Sequence, residues 1–425
     1  MTGTPRRARA VACSFDFGTS SSCVGLAGDG PPRLIALEAG ELTLPSAMFF
    51  DEAGGGVVVG RAAVARYVAG HEGRLMRSFK SALATSLIHE TTALKSGRVS
   101  FQDVIGHYLA RLKDAAEAAA GAPLEAGVEG RPVHFVDGDD RADAEAEAAL
   151  AAILRRLGFR HIAFQFEPIA AALAHEATVT REEIAVVADI GGGTSDFSVV
   201  RIGPQRRNSP DRKDDILAND GTRVGGTDFD RELSLAAAMP QLGYRAALKT
   251  KGLSVPLHFH HLLAHWPRIN QLYTPEMRTA LRHLVEDARD PPPLARLLAI
   301  VEDQQGHELA MRVEAAKIAL SAREQAAITL ATAAGPLSAV ASRPILEAAI
   351  AEHLARLRAA LRRCLDAAGV TASRLGSIFL TGGSGLLPAV RAAVAAEAPG
   401  VAIVDGDPFT AVGQGLAIDA ARRFA

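Results

Sequence analysis

The sequence predicts an α/β fold built twice over: two lobes of mixed sheet flanked by helices, each with a smaller subdomain inserted. Three observations carry that prediction. The segments Phe15-Asp16-Phe17-Gly18-Thr19-Ser20 and Ala188-Asp189-Ile190-Gly191-Gly192-Gly193-Thr194 say nearly the same thing 173 positions apart (189 − 16). Each closes an apolar, β-branched run and precedes a second one, which reads as strand, tight Gly/Thr turn, strand. Strand and helix alternation starts afresh at Ile184, and 425 residues exceed what one core sustains.

Taken in order, strands are expected over 11–17, 23–27, 32–37 and 44–50, then over 57–60 after a triple-glycine turn. Helical patterning follows from Ala62, with interruptions, to Ala120. Residues 121–131 are Gly/Pro-rich and read as a connection back to the main lobe, and 133–136 as a strand. Asp139 or Asp140 caps a helix through Arg156 that Gly158 stops. Glu167-Pro168 opens another helix, to Glu176. The polar, Pro-containing stretch 203–215 reads as a surface loop. From Asp228 to Leu330 the chain is mainly helical, with a Pro-rich break at 291–293. Arg343-Pro344 starts a long helix that reaches Ala368 and stops at Gly369. A strand at Ile378 then runs into Gly382-Gly383, followed by helices over 388–397 and 408–423.

Composition narrows the classes of function. Forty-eight per cent apolar and 22% charged residues are ordinary for a globular chain. A net charge of −2, from 46 basic and 48 acidic side chains, gives no footprint for nucleic acid or an anionic membrane. The Arg6-Arg7 pair is a short basic start with no long apolar segment behind it, so neither a signal peptide nor a membrane span is expected. Three scattered cysteines, Cys13, Cys23 and Cys364, suit free thiols in a reducing cytoplasm. The cluster His258, His260, His261 and His265 lacks the Glu or Cys that would complete a zinc pattern and reads as a solvated helix or loop. Asp139-Asp140 and Asp214-Asp215 read as cap and loop residues rather than catalytic pairs.

The repeated turn carries the chemistry. Glycine lets a backbone approach a phosphate oxygen with no Cβ in the way. Serine and threonine add donors to oxygens that share negative charge. An aspartate would repel phosphate, so its presence implies a cation between them, with Mg²⁺ retaining several waters the natural choice. Two such hairpins facing each other make a phosphate clamp: Gly18, Thr19 and Ser20 on one, Gly191, Gly192, Gly193 and Thr194 on the other, with Asp16 and Asp189 for the metal. Ile378-Phe379-Leu380-Thr381-Gly382-Gly383-Ser384 adds a bare Gly-Gly turn against which a flat base or ribose can lie. Neither GxxxxGK[ST] nor GxGxxG occurs, which removes support for the two commoner nucleotide folds.

With these three motifs in this order the chain resembles the actin-like ATPase superfamily, and most closely the 70-kDa heat-shock chaperone (DnaK) family, within it the short YegD-type proteins. The resemblance extends through Ser21-Ser22-Cys23-Val24-Gly25, Glu167-Pro168-Ile169-Ala170-Ala171-Ala172, Thr194-Ser195-Asp196, Gly225-Gly226-Thr227-Asp228-Phe229-Asp230 and Glu314-Ala315-Ala316-Lys317-Ile318-Ala319-Leu320-Ser321. It implies ATP or ADP with Mg²⁺ as ligands. Thr19 and Ser20 would meet the β- and γ-phosphates and 191–194 the γ-phosphate. Asp16 and Asp189 would hold Mg²⁺ through its waters, and Glu167 would stand near the attacking water, with Asp196 a second candidate. Glu314 and Lys317 would bind the ribose, Ser321 the base, and Gly382-Gly383-Ser384 would lie under the adenosine. Taken without the resemblance, Glu314 and Lys317 read as a surface ion pair.

The resemblance also sets the expected organisation: lobe I over 1–183 (core 9–43 and 131–183, small subdomain 44–130), lobe II over 184–405 (core 184–227 and 334–405, small subdomain 228–333), and a terminal helix over 406–425 packing back on lobe I. Two departures matter. The family's catalytic lysine is sought after Gly60-Arg61-Ala62-Ala63, where this chain has Val64, so a missing cation and slow hydrolysis are expected. Arg61, Arg66 and Lys80 are the cations left to supply it. The adenine-sandwiching arginines are replaced by Ile318 and Leu386. Since the sequence stops at Ala425, only the ATPase module is expected, without the peptide-binding domain. The leading reading is a nucleotide-dependent switch sensed by a co-chaperone or client protein; a sugar-type kinase, an actin-like filament and a pseudo-ATPase scaffold are the alternatives.

Overall fold

The computed structural model describes residues 11–54, 56–94, 97–136, 138–207, 209, 211–250, 252–407 and 409–425. Arg6, Arg7, Ala10 and Pro408 lie outside the described residues. The chain divides into two compact units, one of Met1–Gly221, Ala360–Gly385 and Glu397–Ala425, the other of Thr222–Ala359 and Leu386–Ala396.

The first unit holds two sheets built on one plan. In the first, Ala12–Phe17 pairs antiparallel with Ser21–Ala27 and parallel with Ala126–Arg131, beyond which His161–Phe166 is again parallel. In the second, Glu183–Ile190 pairs antiparallel with Ser195–Ile202 and parallel with Leu375–Thr381, beyond which Ala402–Asp405 is again parallel. Arg33–Leu34 and Ile216–Thr222 complete the opposite edges. The duplicated α/β architecture that the repeated turn predicts is therefore present strand by strand. Parallel neighbours need a crossover, and the helix Asp140–Arg156 provides the one between Ala126–Arg131 and His161–Phe166. Its cap is the one expected: the Asp139 side chain accepts from the amides of Arg141 and Ala142.

The terminal helix Ala411–Phe424 packs on the helix Glu167–Glu176 and on the first sheet. Gly415 makes the helix contact possible, since a Cβ there would stand 1.8 Å from the Ala170 carbonyl oxygen. Smaller layers flank the first sheet. Val57–Val59, Ala47–Asp51 and Gly73–Arg77 form a three-stranded sheet covered by the helix Gly60–Val68, and Phe101–Ala120 is a long helix with Val104, Ile105, Tyr108, Leu109 and Leu112 buried on one face.

Two sequence expectations are corrected. The stretch 62–120 is not one interrupted helix. Gly73–Arg77 is a strand because it pairs along Ala47–Asp51, and Thr91–Leu94 and Gly97–Ser100 are strands paired with each other as a hairpin, so pairing decides the conformation of segments with weak local preference. The strand expected at 133–136 lies instead at Ala126–Arg131, a run whose glycines read as a connection but fit a buried strand with close neighbours. The stretch 203–215 is a loop, as expected, and is anchored: the Arg212 guanidinium, 3% exposed, donates to both oxygens of Glu176 at 2.8 and 3.0 Å and also to Asp215.

The second unit is mainly helical, as expected, with Gly226–Leu233, Pro275–Asp287, Pro291–Glu302 and Gly306–Leu320 among its helices and a hairpin, Gln325–Leu330/Leu337–Ser342, beside Gly306–Leu320. Pro291 opens a helix rather than merely interrupting one, its fixed φ suiting the first turn. The histidine cluster is only partly solvated. His260 is fully buried with Nε2 at 3.0 Å from the Leu242 carbonyl oxygen, and burial pushes its pKa down. Among the described residues no group of three His, Cys, Asp or Glu side chains is placed to chelate a metal directly.

Candidate functional site

The phosphate-turn residues fall within the first unit. Asp16 sits near the end of the first strand and Asp189 near the end of its counterpart, in matching positions opposite Cys23 and Asp196 of their hairpins. The turns that follow face each other: a Cβ on Gly192 would stand 2.6 Å from the Ser20 hydroxyl oxygen. The third turn joins them. The Ser384 hydroxyl donates to the Gly191 carbonyl at 3.0 Å, and Gly382, at φ +79°, lies so close that a Cβ would be 2.3 Å from the Ile190 carbonyl oxygen and 2.6 Å from Asp189 Oδ1. Thr19, Ser20, Gly193 and Thr194 are exposed at the turn tips, and the Thr194 hydroxyl donates to Asp196 at 3.1 Å.

The first turn is braced by a residue the sequence reading did not single out. The Ser46 hydroxyl donates to the Gly18 carbonyl at 2.6 Å, and the Ser46 amide donates to the Ser20 carbonyl at 2.9 Å. The backbone of the turn is thus set from below while its hydroxyls stay outward.

Of the cations considered, Lys80 is the one placed beside Glu167. Its ammonium is 2.7 Å from Glu167 Oε1 and 5.8 Å from the centre of the Phe17 ring, and the residue is 8% exposed. The helical turn Phe79–Ala84 puts it there. Phe79 is buried against Phe17 and Tyr108, with ring centres 5.9 and 5.1 Å away, and the Tyr108 hydroxyl donates to the Leu44 carbonyl at 3.1 Å. Val64, where the lysine was sought, packs instead beside Ala47, Phe49 and Ala63 in the small sheet.

Electrostatics mark this cluster as strained without a ligand. Burial, then the negative charges of Glu167 and Asp189, push the Asp16 carboxyl up to about 7 against the pull of Lys80. Burial and Glu167 push Asp189 up to about 6. Burial would lower the Lys80 ammonium, but Glu167, Asp16 and Glu129 outweigh it and hold its pKa above the usual lysine value. Glu129 was not foreseen. It is 1% exposed, neither carboxyl oxygen has a hydrogen-bond partner, and burial drives its pKa well above the ordinary carboxylate value. Two recessed carboxylates that repel each other are a donor set a hard divalent cation relieves. Since among the described residues no three side chains are placed to chelate directly, such an ion would keep most of its waters. The residues present therefore fit Mg²⁺ and a phosphate chain.

The second unit carries the remaining expected residues. The Asp228 side chain accepts from the Gly225 amide at 3.1 Å and caps the helix Gly226–Leu233. Glu314 and Lys317 do not share a face. Glu314 is exposed, whereas Lys317 is buried, donating to the Gly226 carbonyl at 3.0 Å and pairing with Asp230 at 2.9 Å. On the Glu314 side Ile318 is 60% exposed, an apolar surface with no cover in this unit, and Ser321 follows one turn on.

A duplicated sheet plan with Asp/Gly/Thr hairpins turned toward each other defines an actin-like ATPase fold. Within that class the chain belongs to the Hsp70 family: the family model described as Hsp70 protein matches residues 12–239 and 296–421. The chaperone protein HscA of Edwardsiella ictaluri (strain 93-146) is 28% identical over 433 residues, which cover 97% of this chain and 58% of HscA. This chain thus spans under two thirds of that relative. No helix among the described residues is long and apolar enough to cross a membrane.

Proposed function

We propose that this chain binds ATP and ADP with Mg²⁺, hydrolyses ATP, and passes the change of nucleotide to a partner protein as a conformational signal. The observation that carries the reading is the approach of the Gly192 turn to Ser20 beside half-buried Asp16, Asp189 and Glu167 and a buried Lys80. Thr19, Ser20, Gly18 and the 191–194 turn would hold the β- and γ-phosphates. Asp16 and Asp189 would hold Mg²⁺ through its waters, and the ion would neutralise phosphate charge. Glu167 orients the attacking water, with Asp196 and Thr194 at the second turn as the next candidates. Lys80 sets a positive charge against the charge that develops as the terminal phosphate leaves. Since slow turnover was expected from Val64 alone, Lys80 supports ordinary Hsp70-type turnover and weakens the pseudo-ATPase alternative.

Glu314 and Ser321 as nucleoside contacts, Ile318 and Leu386 as apolar faces for adenine, Gly382-Gly383-Ser384 under the ribose, the 183/184 lobe boundary and the YegD-type placement belong to the same proposal, on the strength of the motif resemblance. HscA is named a chaperone protein, and a co-chaperone or client is the corresponding partner class proposed here.

Calorimetric titration with Mg–ATP and Mg–ADP, joined to single-turnover hydrolysis by wild type and Asp189→Asn, tests the reading. Saturable binding, wild-type turnover and a loss of roughly 100-fold or more in the variant are expected. Absence of saturable binding overturns it. Binding with no wild-type turnover favours a scaffold, and stimulation by a sugar a kinase.

A further inference from the structure

Lys80 and Glu129 are each incompletely served, and they are on the same side of the first sheet. The Lys80 ammonium has three donors, yet among the described residues Glu167 Oε1 is its hydrogen-bond acceptor and no other is recorded. Glu129 has two buried carboxyl oxygens with no hydrogen bond formed to either; the Phe17 amide is the backbone donor near enough to pull its pKa down. Strand register fixes the relation. Glu129 is the parallel partner of Phe15, so its side chain leaves the sheet on the face of Phe15 and Phe17. The Lys80 ammonium lies over the Phe17 ring, and the charges of Lys80 and Glu129 act on each other. A buried ammonium with donors to spare thus shares a face with a buried carboxyl that has acceptors to spare. Joined directly or through one water, the two would make an ion pair.

Glu167 shares Oε1 with Lys80 at 2.7 Å and keeps Oε2 for a water; passing the ammonium to Glu129 would give the water both oxygens. We propose that Glu129 is a positioning residue: in the nucleotide-bound state it takes the Lys80 ammonium, keeps that charge in place and releases Glu167 for the attacking water. This rests on the nucleotide reading above. It also explains why an unpartnered buried acid persists where an apolar side chain would cost less.

The test is Glu129→Gln, which keeps shape and removes charge, with Glu129→Leu and Glu129→Asp beside it. Nucleotide affinity by calorimetry and single-turnover hydrolysis are read separately. For Gln the rate is expected to fall about tenfold or more with the dissociation constant for Mg–ADP unchanged within about threefold, since one charge-assisted contact is lost in the reacting state only. Leu should lose at least as much, and Asp, one methylene short, should fall between Gln and wild type. A purely structural role would change melting temperature and leave the rate alone. Wild-type turnover matched by both Gln and Leu overturns the inference while leaving the nucleotide reading intact; no turnover in wild type sinks the reading itself. A structure of the Mg–ADP complex gives the direct check: Lys80 Nζ within hydrogen-bond distance of Glu129, directly or through one water, is expected, and Lys80 still held by Glu167 alone refutes it.

Discussion

Lys80→Met removes the charge while keeping most of the stem that lies over Phe17. Four carboxyl groups, Asp16, Glu129, Glu167 and Asp189, then share a pocket without the cation that offsets them. Breaking a buried pair by deleting one partner typically costs about 3–5 kcal/mol. Here the acids can relieve part of that cost by taking up protons. The sign follows from their direction of shift. Asp16 is already raised to about 7, so its folded form prefers the proton more than the unfolded form does. Losing Lys80 raises it further, and the stability lost grows as pH rises through 7 and shrinks toward pH 5. The difference in melting temperature between wild type and Lys80→Met should therefore widen from acid to alkaline buffer. For catalysis, a preorganised donor facing developing charge is worth roughly 10²–10³ in rate. Single-turnover hydrolysis should fall by that much, with Mg–ADP binding retained. Turnover within threefold of wild type in a folded, nucleotide-binding variant would refute the placement of Lys80. The companion variant Val64→Lys should add no rate and should destabilise, because Val64 packs in the small sheet beside Phe49.

Gly192→Ala places a Cβ 2.6 Å from the Ser20 hydroxyl. Nucleotide affinity should drop about tenfold, and Ser20→Ala added to it should cost less than the two single losses summed, a coupling that a double-mutant cycle by calorimetry reads. Binding of Mg–nucleotide near pH 6 should release protons, since Asp16 and Asp189, raised to about 7 and 6, must ionise to face the ion. Titrations in buffers of different ionisation heat should diverge near pH 6 and converge well above pH 7, and equal heats at pH 6 would refute the shifts. Arg212→Met leaves Glu176 and Asp215 buried without their cation and should cost about 3–5 kcal/mol of stability by denaturant unfolding, with nucleotide affinity unchanged.

What could be read from the sequence and what could not divides along a physical line. The hairpin turns were legible because a phosphate-binding turn demands Gly, Ser/Thr and Asp at fixed short spacing, and such local demands are written in consecutive residues. The helix cap at Asp139 and the helix start at Glu167-Pro168 were legible for the same reason. Ala126–Arg131 was not. Its two glycines lower strand propensity, and only the close approach of Phe159 and Leu416 explains them. Lys317 was misplaced in part, because an i, i+3 spacing gives a shared face only when nothing inside the fold competes for the ammonium, and Asp230 does.

The cation of the site shows the limit most clearly. Counting along the chain from Gly60 led to Val64, whereas the charge arrives sixteen positions later (80 − 64), after Gly73–Arg77 has folded back along Ala47–Asp51 and Phe79 has locked onto Phe17 and Tyr108. No local spacing rule selects that lysine. What selects it is charge balance. Asp16, Glu129 and Asp189, all raised by burial, act on one another and on Glu167, and a cation from some element must offset them. The helical turn Phe79–Ala84 is the one that brings a lysine to Glu167. A search for the lysine framed as "which cation does the fold bring to these acids" would have reached Lys80, and the same question applied to the leftover acid reaches Glu129. The two residues stand or fall together: if Lys80→Met leaves hydrolysis intact, Glu129 has no ammonium to position, and its burial needs another cause.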